Sequence, residues 1–318
     1  MTIPLAASPP GPRALGAAIV DNVSRVVLGK DEPVRMVVAA LLAGGHVLVE
    51  DVPGVGKTLL AKSLARSIGG TAARVQGTAD LMPSDVTGVT VYDQGSGDWR
   101  FRPGPVFSNV VLVDEINRAT PRAQSALLEA MGEGHTTVDG VAHPLPVPFF
   151  VIATQNPFGD VGTFPLLEGQ SDRFAVVVSL GLPDRDAERA VIAGGGGEAE
   201  LVHLEPVVDA GGFRQAQAEV AQVHVEPGVV DYVLDLAVAT RTDARLARGA
   251  SPRAASMLLR VAKAHAVLVE RDFVTPDDVK AVAAAVLAHR LGTVSGQGTA
   301  VARGIVADIM ATVASPPI

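Results

Sequence analysis

The chain has no cysteine, which rules out both a disulfide framework and a thiolate metal site and leaves nothing that argues for an oxidising compartment. It also lacks a basic excess. Lys plus Arg number 26 against 34 for Asp plus Glu, a net charge of -8, whereas proteins that track phosphate backbones use clustered cations to displace counterions. Nucleic acid is therefore not the expected partner. The seven histidines show no paired ligand spacing such as HExxH. Long apolar runs are missing too: the longest uncharged stretch near the N-terminus, Met36 to Val49, is 14 residues long and contains Gly44, Gly45 and His46. A bilayer needs about 20 apolar residues, so no transmembrane segment is expected. The first dozen residues hold four prolines and no basic region followed by an apolar core, so residues 1–12 read as a flexible leader and not as a signal peptide. The cytoplasm is the default location.

What is present suits a globular protein: 48% hydrophobic and 19% charged residues in 318, a length at which a large domain plus a smaller one is the natural expectation. Residues 13–43 read as two helices broken at Gly29-Lys30. Short, nearly continuous apolar runs follow at His46–Glu50, Ala72–Val75, Val110–Val113, Phe149–Ala153 and Ala175–Val178. Continuous apolarity is what a parallel strand covered on both faces requires. Helical segments fall between the runs, notably Lys57–Ile68 and Pro121–Met131, so the fold class is α/β, a parallel sheet sandwiched by helices. Two interruptions, near residues 83–105 and 135–147, read as hairpins, the second because Asp139-Gly140 is a strong two-residue turn signal. After Pro183 strand signals nearly vanish, and Ser251-Pro252 and Thr275-Pro276 open clear helices. The expected division is an α/β domain over 13–182 and a smaller helical domain with the C-terminal tail over 183–318.

Three segments carry chemistry. Asp51, Val52, Pro53, Gly54, Val55, Gly56, Lys57 and Thr58, with Leu59 after them, follow a predicted strand and open a predicted helix. Glycines there let backbone amides curl around phosphates, the helix N-terminus is positive, Lys57 adds a cation and Thr58 a hydroxyl for Mg2+. The pattern normally begins with glycine, and here that position is Asp51, a mild departure because the amides nearest the phosphates belong to the later residues. Next, Val110–Val113 delivers Asp114 and Glu115 to a strand's C-terminal end, where ligands of parallel sheets bind. Alone this reads more readily as a solvated strand end. Paired with the phosphate loop, Asp114 becomes a candidate Mg2+ carboxylate and Glu115 a candidate for orienting water. Last, Asn156 stands just past a strand, where it suits either a phosphate contact or a turn before Pro157.

The strings LLAGGHVLVEDVPGVGKT, FRPGPVFSNVVLVDEINRATPRAQSALLEAM, FFVIATQNP and EGQSDRF resemble the MoxR family of AAA+ ATPases, and GASPRAASMLLRVAKAHA with RDFVTPDDV extends the likeness to about residue 290. The resemblance implies an AAA+ P-loop NTPase core with a small C-terminal α-helical lid domain. It also implies a hexameric ring with ATP and Mg2+ at subunit interfaces. Asn156 then resembles sensor 1, Arg173 the arginine finger that reaches the neighbouring site, and Arg253 sensor 2, so that Glu115, Asn156, Arg173 and Arg253 form the implied catalytic set. Without the family, Arg173 reads as a surface ion-pair partner and Arg253 as helix-start decoration, and Arg118 stays open between the two kinds of role. The two insertions are expected to face a central pore. Gln76 is a strand-end polar residue with a switch role as the alternative, and Trp99 is expected to pack within the first insertion. The implied function is ATP-driven, chaperone-like remodelling or maturation of protein complexes, with a von Willebrand factor A domain protein as partner. Alternatives are a motor on nucleic acid or a transcription activator, disfavoured by the acidic balance, and a nucleotide-gated scaffold with little turnover.

Overall fold

The computed structural model describes residues 11–52, 54–156, 163–296 and 298–317, the side chain of Glu168 aside. The first ten residues of the expected leader lie outside that description, and the helical chain begins at Pro12. Helix α1 (Pro12–Val26) buries Leu15, Ile19, Val23 and Val26, a helical stripe, and α2 (Asp31–Leu42) opens with Asp31 and Glu32 at its positive end. Then come β1 (His46–Glu50), α3 (Lys57–Ser67) and β2 (Ala72–Gln76). A short helix α4 (Pro83–Thr87) leads into the antiparallel pair β3 (Gly88–Asp93) and β4 (Asp98–Pro103). After β5 (Val110–Asp114) and α5 (Pro121–Glu133) stands the second hairpin, β6 (His135–Val138) and β7 (Val141–Pro144). Its turn residues Asp139 and Gly140 have φ of 50° and 78°, the positive values a tight two-residue hairpin turn needs. The strand β8 (Phe150–Gln155), one turn of helix α6 (Glu168–Ser171) and β9 (Phe174–Val178) complete the sheet region.

The sheet is parallel, in the order β2-β5-β8-β1-β9. Successive residues of its inner strands enter different cores. Val110, Leu112, Phe150 and Ile152 join α1, α2 and α3 on one face, while Val111, Val113, Val151 and Ala153 join Leu127, Leu128 and Met131 of α5 on the other. This is why those strands are apolar at successive positions until they near their C-terminal ends. β2 departs from the expectation of cover on both faces: at the sheet edge only Val75 is buried, and Arg74 and Gln76 are exposed. The β2 edge is open to solvent, so these polar side chains stay solvated, whereas β9 at the opposite edge is covered and buried at every position.

Helices dominate the rest: α7 (Arg185–Ile192), α8 (Gly197–Val202), α9 (Ala210–Ala221), then α10 (Pro227–Thr242), α11 (Pro252–Leu268), α12 (Pro276–Leu287) and α13 (Thr299–Thr312), with strands of two or three residues among them. Ser251 Oγ accepts the Ala254 amide at 3.1 Å to cap α11. Thr275 and Asp278 form a reciprocal cap on α12. Helices α8 to α13 share one apolar cluster with α1, α2 and α3, whereas α7 buries no residue. Arg290, which is 4% exposed, ties the end of the α12 segment to the sheet by donating to the Asp172 carboxylate at 2.7 Å and to the carbonyls of Phe174 and Ala175 at 2.6 and 3.1 Å. No helix among the described residues is long and apolar enough to cross a membrane.

Trp99 packs within its own hairpin as expected, but only on that hairpin's outer part. It lies against Tyr92, ring centres 5.4 Å apart, yet is 71% exposed. Phe101, two residues nearer the body on the same strand face, makes the inward contact instead, stacking on His143 of β7 at 3.9 Å. Trp99 sits at the tip, beyond that body.

Candidate active site

The loop between β1 and α3 starts from a buried anchor. Asp51 turns its carboxylate away from the loop interior, toward the chain leaving β9. It accepts from Ser179 Oγ at 3.1 Å, from the Leu180 amide and from the Gly181 amide at 3.2 Å. Lys30 donates to the Gly181 carbonyl at 2.7 Å and completes the patch. Burial pushes its ammonium below the ordinary value, opposed by the attraction of Asp51 and then Asp184. A carboxylate at the position where glycine is usual thus serves as a tether, and only the Asp51 carbonyl faces the loop, accepting from Lys57 Nζ at 3.3 Å.

Val52 offers a second carbonyl to Lys57 Nζ, also at 3.3 Å, and Val55 is buried. Pro53 lies outside the described residues. Gly54 and Gly56 have φ of 87° and 95°, and Gly56 in the left-handed region is the N-cap of α3. Such torsions strain any residue with a Cβ, so glycine here is a geometric requirement. Gly56 brings no side chain to cap α3, which leaves the first amides of the helix for a ligand at the positive end of the dipole.

A cavity of about 240 Å³ gathers Gly54, Gly56, Lys57, Thr58 and Leu59 with Asp114, Glu115 and Thr154, and with Arg74 and Gln76 on the edge strand. Asp114 ends β5, and Gln76 pairs with it in register. Gly77 follows so closely that a Cβ there would stand 2.2 Å from the Glu115 carbonyl oxygen. Glu115 itself takes φ 54°, ψ 51°, a left-handed conformation unusual for a side chain of its size. Thr154 supports it: Oγ1 accepts the Glu115 amide at 2.9 Å and donates to Asp114 Oδ1 at 3.4 Å. Each carboxylate also has a cation. Arg74 Nε reaches Asp114 Oδ2 at 2.7 Å, and Arg118 reaches Glu115 Oε2 at 3.0 Å, where the Gln76 amide donates as well at 3.1 Å.

Amide donors, an ammonium, a hydroxyl and a nearly buried carboxylate in one cavity fit a polyphosphate with a hard divalent cation, which takes oxygen ligands. The family model described as "ATPase family associated with various cellular activities (AAA)" matches residues 46–176, and one for an AAA lid domain matches residues 238–309. Chaperone MoxR1 of Mycobacterium tuberculosis is 39% identical over 300 residues, covering 90% of this chain and 79% of that protein. The chain belongs to the MoxR family of AAA+ ATPases. Protein MoxR of Methylorubrum extorquens is 31% identical, with 85% of each chain covered. A further relative is the uncharacterized protein YeaC of Bacillus subtilis, 45% identical over 87% of this chain and 86% of that one. The crystal structure of a candidate ATPase from Cytophaga hutchinsonii superposes with a TM-score of 0.86 at 35% identity, covering 96% of both chains.

The other residues singled out in this MoxR-family chain stand apart from the cavity. Asn156 follows β8 directly at the same end of the sheet but is not among the cavity's lining residues. Arg173 donates to the Leu128 carbonyl of α5 at 3.0 Å and is not among the cavity's lining residues. Arg253, at the start of α11, stands 3.7 Å from Asp172, the residue beside Arg173. Gln76 does more than end a strand, since it touches Glu115 directly. Arg74 and Thr154 carry no local signal; their place depends on which strands are neighbours.

Proposed function

We propose that the chain is a Mg2+-dependent ATPase that works as a ring in the cytoplasm and spends its cycle on chaperone-like remodelling or maturation of protein complexes. The observation that carries this reading is the convergence of Lys57, Thr58, Asp114 and Glu115 on one cavity with a helix N-terminus whose cap residue is Gly56. In the proposed cycle the amides from Gly54 to Thr58 cradle the β and γ phosphates. Lys57 exchanges the loop carbonyls of Asp51 and Val52 for phosphate oxygens. Thr58 and Asp114 would hold Mg2+, which supplies charge neutralisation and orientation of the phosphate chain. Glu115, held in its turn by Thr154, orients and polarises the attacking water. Arg173, which does not line its own subunit's cavity, completes the site of the next subunit, and Asn156 and Arg253 respond to the γ-phosphate.

A protein client fits the acidic balance of the chain and the chaperone designation of its mycobacterial relative. A partner with a von Willebrand factor A domain is part of the proposal, as is a six-membered ring whose pore is lined by the two hairpins.

Calorimetry and phosphate release on the purified chain test it. The wild type is expected to bind and hydrolyse ATP only with Mg2+, Lys57→Ala to lose nucleotide uptake, and Glu115→Gln to bind without turnover. Normal hydrolysis by Lys57→Ala defeats the site assignment. Glu115→Gln held with ATP is the form for capturing a client, because a stalled remodeller retains what it grips.

A further inference from the structure

Arg74 joins the two carboxylates of the cavity. Its Nε donates to Asp114 Oδ2 at 2.7 Å and its Nη2 to Gln76 Oε1 at 3.2 Å. A guanidinium has only donors, so the Gln76 atom that faces it must be the carbonyl oxygen. The amide nitrogen is thereby turned to Glu115 Oε2, 3.1 Å away. Arg74, which only donates, and the Glu115 carboxylate, which only accepts, together hold the Gln76 amide in this one orientation.

Burial divides the roles within this chain of contacts. The Asp114 side chain is 10% exposed and that of Arg74 57%, so the carboxylate is fixed while the guanidinium can swing into solvent. The edge position of β2 makes this possible, because among the described residues no further strand hems in Arg74.

We infer that Arg74 is a positioning residue that couples the metal carboxylate to the water-orienting one, a proposal that rests on the reading of Asp114 given above. A divalent cation that draws on Oδ2 competes with Arg74 for the same lone pairs. When the guanidinium yields, Gln76 loses one of the two bonds that anchor its amide, and its hold on Glu115, which Arg118 shares at 3.0 Å, slackens. Metal uptake and the release of Glu115 are then one linked event, and linkage is reciprocal: loosening the Gln76 end must strengthen metal binding.

The test is Mn2+ binding to the full chain in the presence of ADP, read from the electron paramagnetic resonance of the free ion, with no turnover involved. Arg74→Gln is expected to bind Mn2+ about fivefold more tightly than wild type, the scale of one partly exposed charged pair. Arg74→Met, which keeps the apolar stem without the charge, should match it. Gln76→Ala is expected to tighten binding by about twofold, with no further gain when it is added to Arg74→Gln, because the two act in series. Equal or weaker binding by both Arg74 variants overturns the competition. Unchanged binding by Gln76→Ala overturns the relay. Asp114→Asn separates this from the underlying assignment: if it binds Mn2+ as well as wild type does, Asp114 is not the metal carboxylate at all, whereas its loss alongside unaltered Arg74 variants defeats the coupling alone.

Discussion

Thr154 holds Glu115 by the main chain, its hydroxyl accepting the Glu115 amide at 2.9 Å while Glu115 adopts a left-handed conformation. Thr154→Val keeps the shape and removes the acceptor. With Thr154 only 1% exposed, the orphaned amide should cost about 1–3 kcal/mol of stability in urea titrations. Turnover should fall by roughly tenfold or more as Glu115 loses its aim, while nucleotide affinity stays near wild type. Unaltered kcat in a destabilised variant would assign Thr154 a structural role only.

Asp51 gives the opposite separation. Asp51→Asn replaces an acceptor-only group, held by two backbone amides and a hydroxyl, with one that presents a donor to those amides. Loss of charge-assisted bonds to a buried carboxylate should lower stability by roughly 2 kcal/mol. Nucleotide affinity should move by less than about threefold, since the side chain faces away from the loop. A large affinity loss at unchanged stability would place the carboxylate in the binding machinery after all.

For Arg173 the expectation is retained nucleotide binding with hydrolysis down by roughly a thousandfold in Arg173→Ala, the scale of a lost arginine finger. Alone, this variant and Glu115→Gln are each expected to show little turnover. Mixed rings should regain part of the rate, because a Glu115→Gln subunit lends its Arg173 to a neighbour whose Glu115 is intact. Mixed rings without recovery speak against action across the interface.

Two buried imidazoles contribute to the pH dependence of stability below about pH 6.5. Burial lowers the His46 pKa from 6.5 to about 4, with Nε2 against the Met131 carbonyl at 3.1 Å and Nδ1 accepting the Val151 amide. Burial, then the neighbouring Arg290, lowers that of His289 to about 3. Both stay neutral in the folded chain while unfolded chains take up protons below pH 6.5. Their contribution is therefore complete above about 6.5 and declines as pH falls toward 4, with His46 alone accounting for roughly 3 kcal/mol. Urea midpoints at pH 7.5 and 5.0 check this, and His46→Gln should show a shallower decline between the two.

How far the sequence spoke depends on whether a feature is local. The Asp139-Gly140 turn, the Ser251 and Thr275 caps and the glycine loop before Lys57 are written in adjacent residues, and each stands where local chemistry put it. Arg74, Asp114 and Thr154 lie 40 residues apart in steps and meet only because β2, β5 and β8 are neighbours. No window of sequence displays that order. Asp51 looked like a flawed glycine for the same reason: the amides that justify it are 129 and 130 residues away.

The exposed Tyr92–Trp99 pair has a practical side. The chain has a single tryptophan, and it sits at the end of a hairpin, not in either apolar cluster. Intrinsic emission from this molecule is a local signal of whatever touches that tip, with no need for an attached dye. The same emission will be nearly blind to melting of the interior, which must be followed by the amide circular dichroism instead.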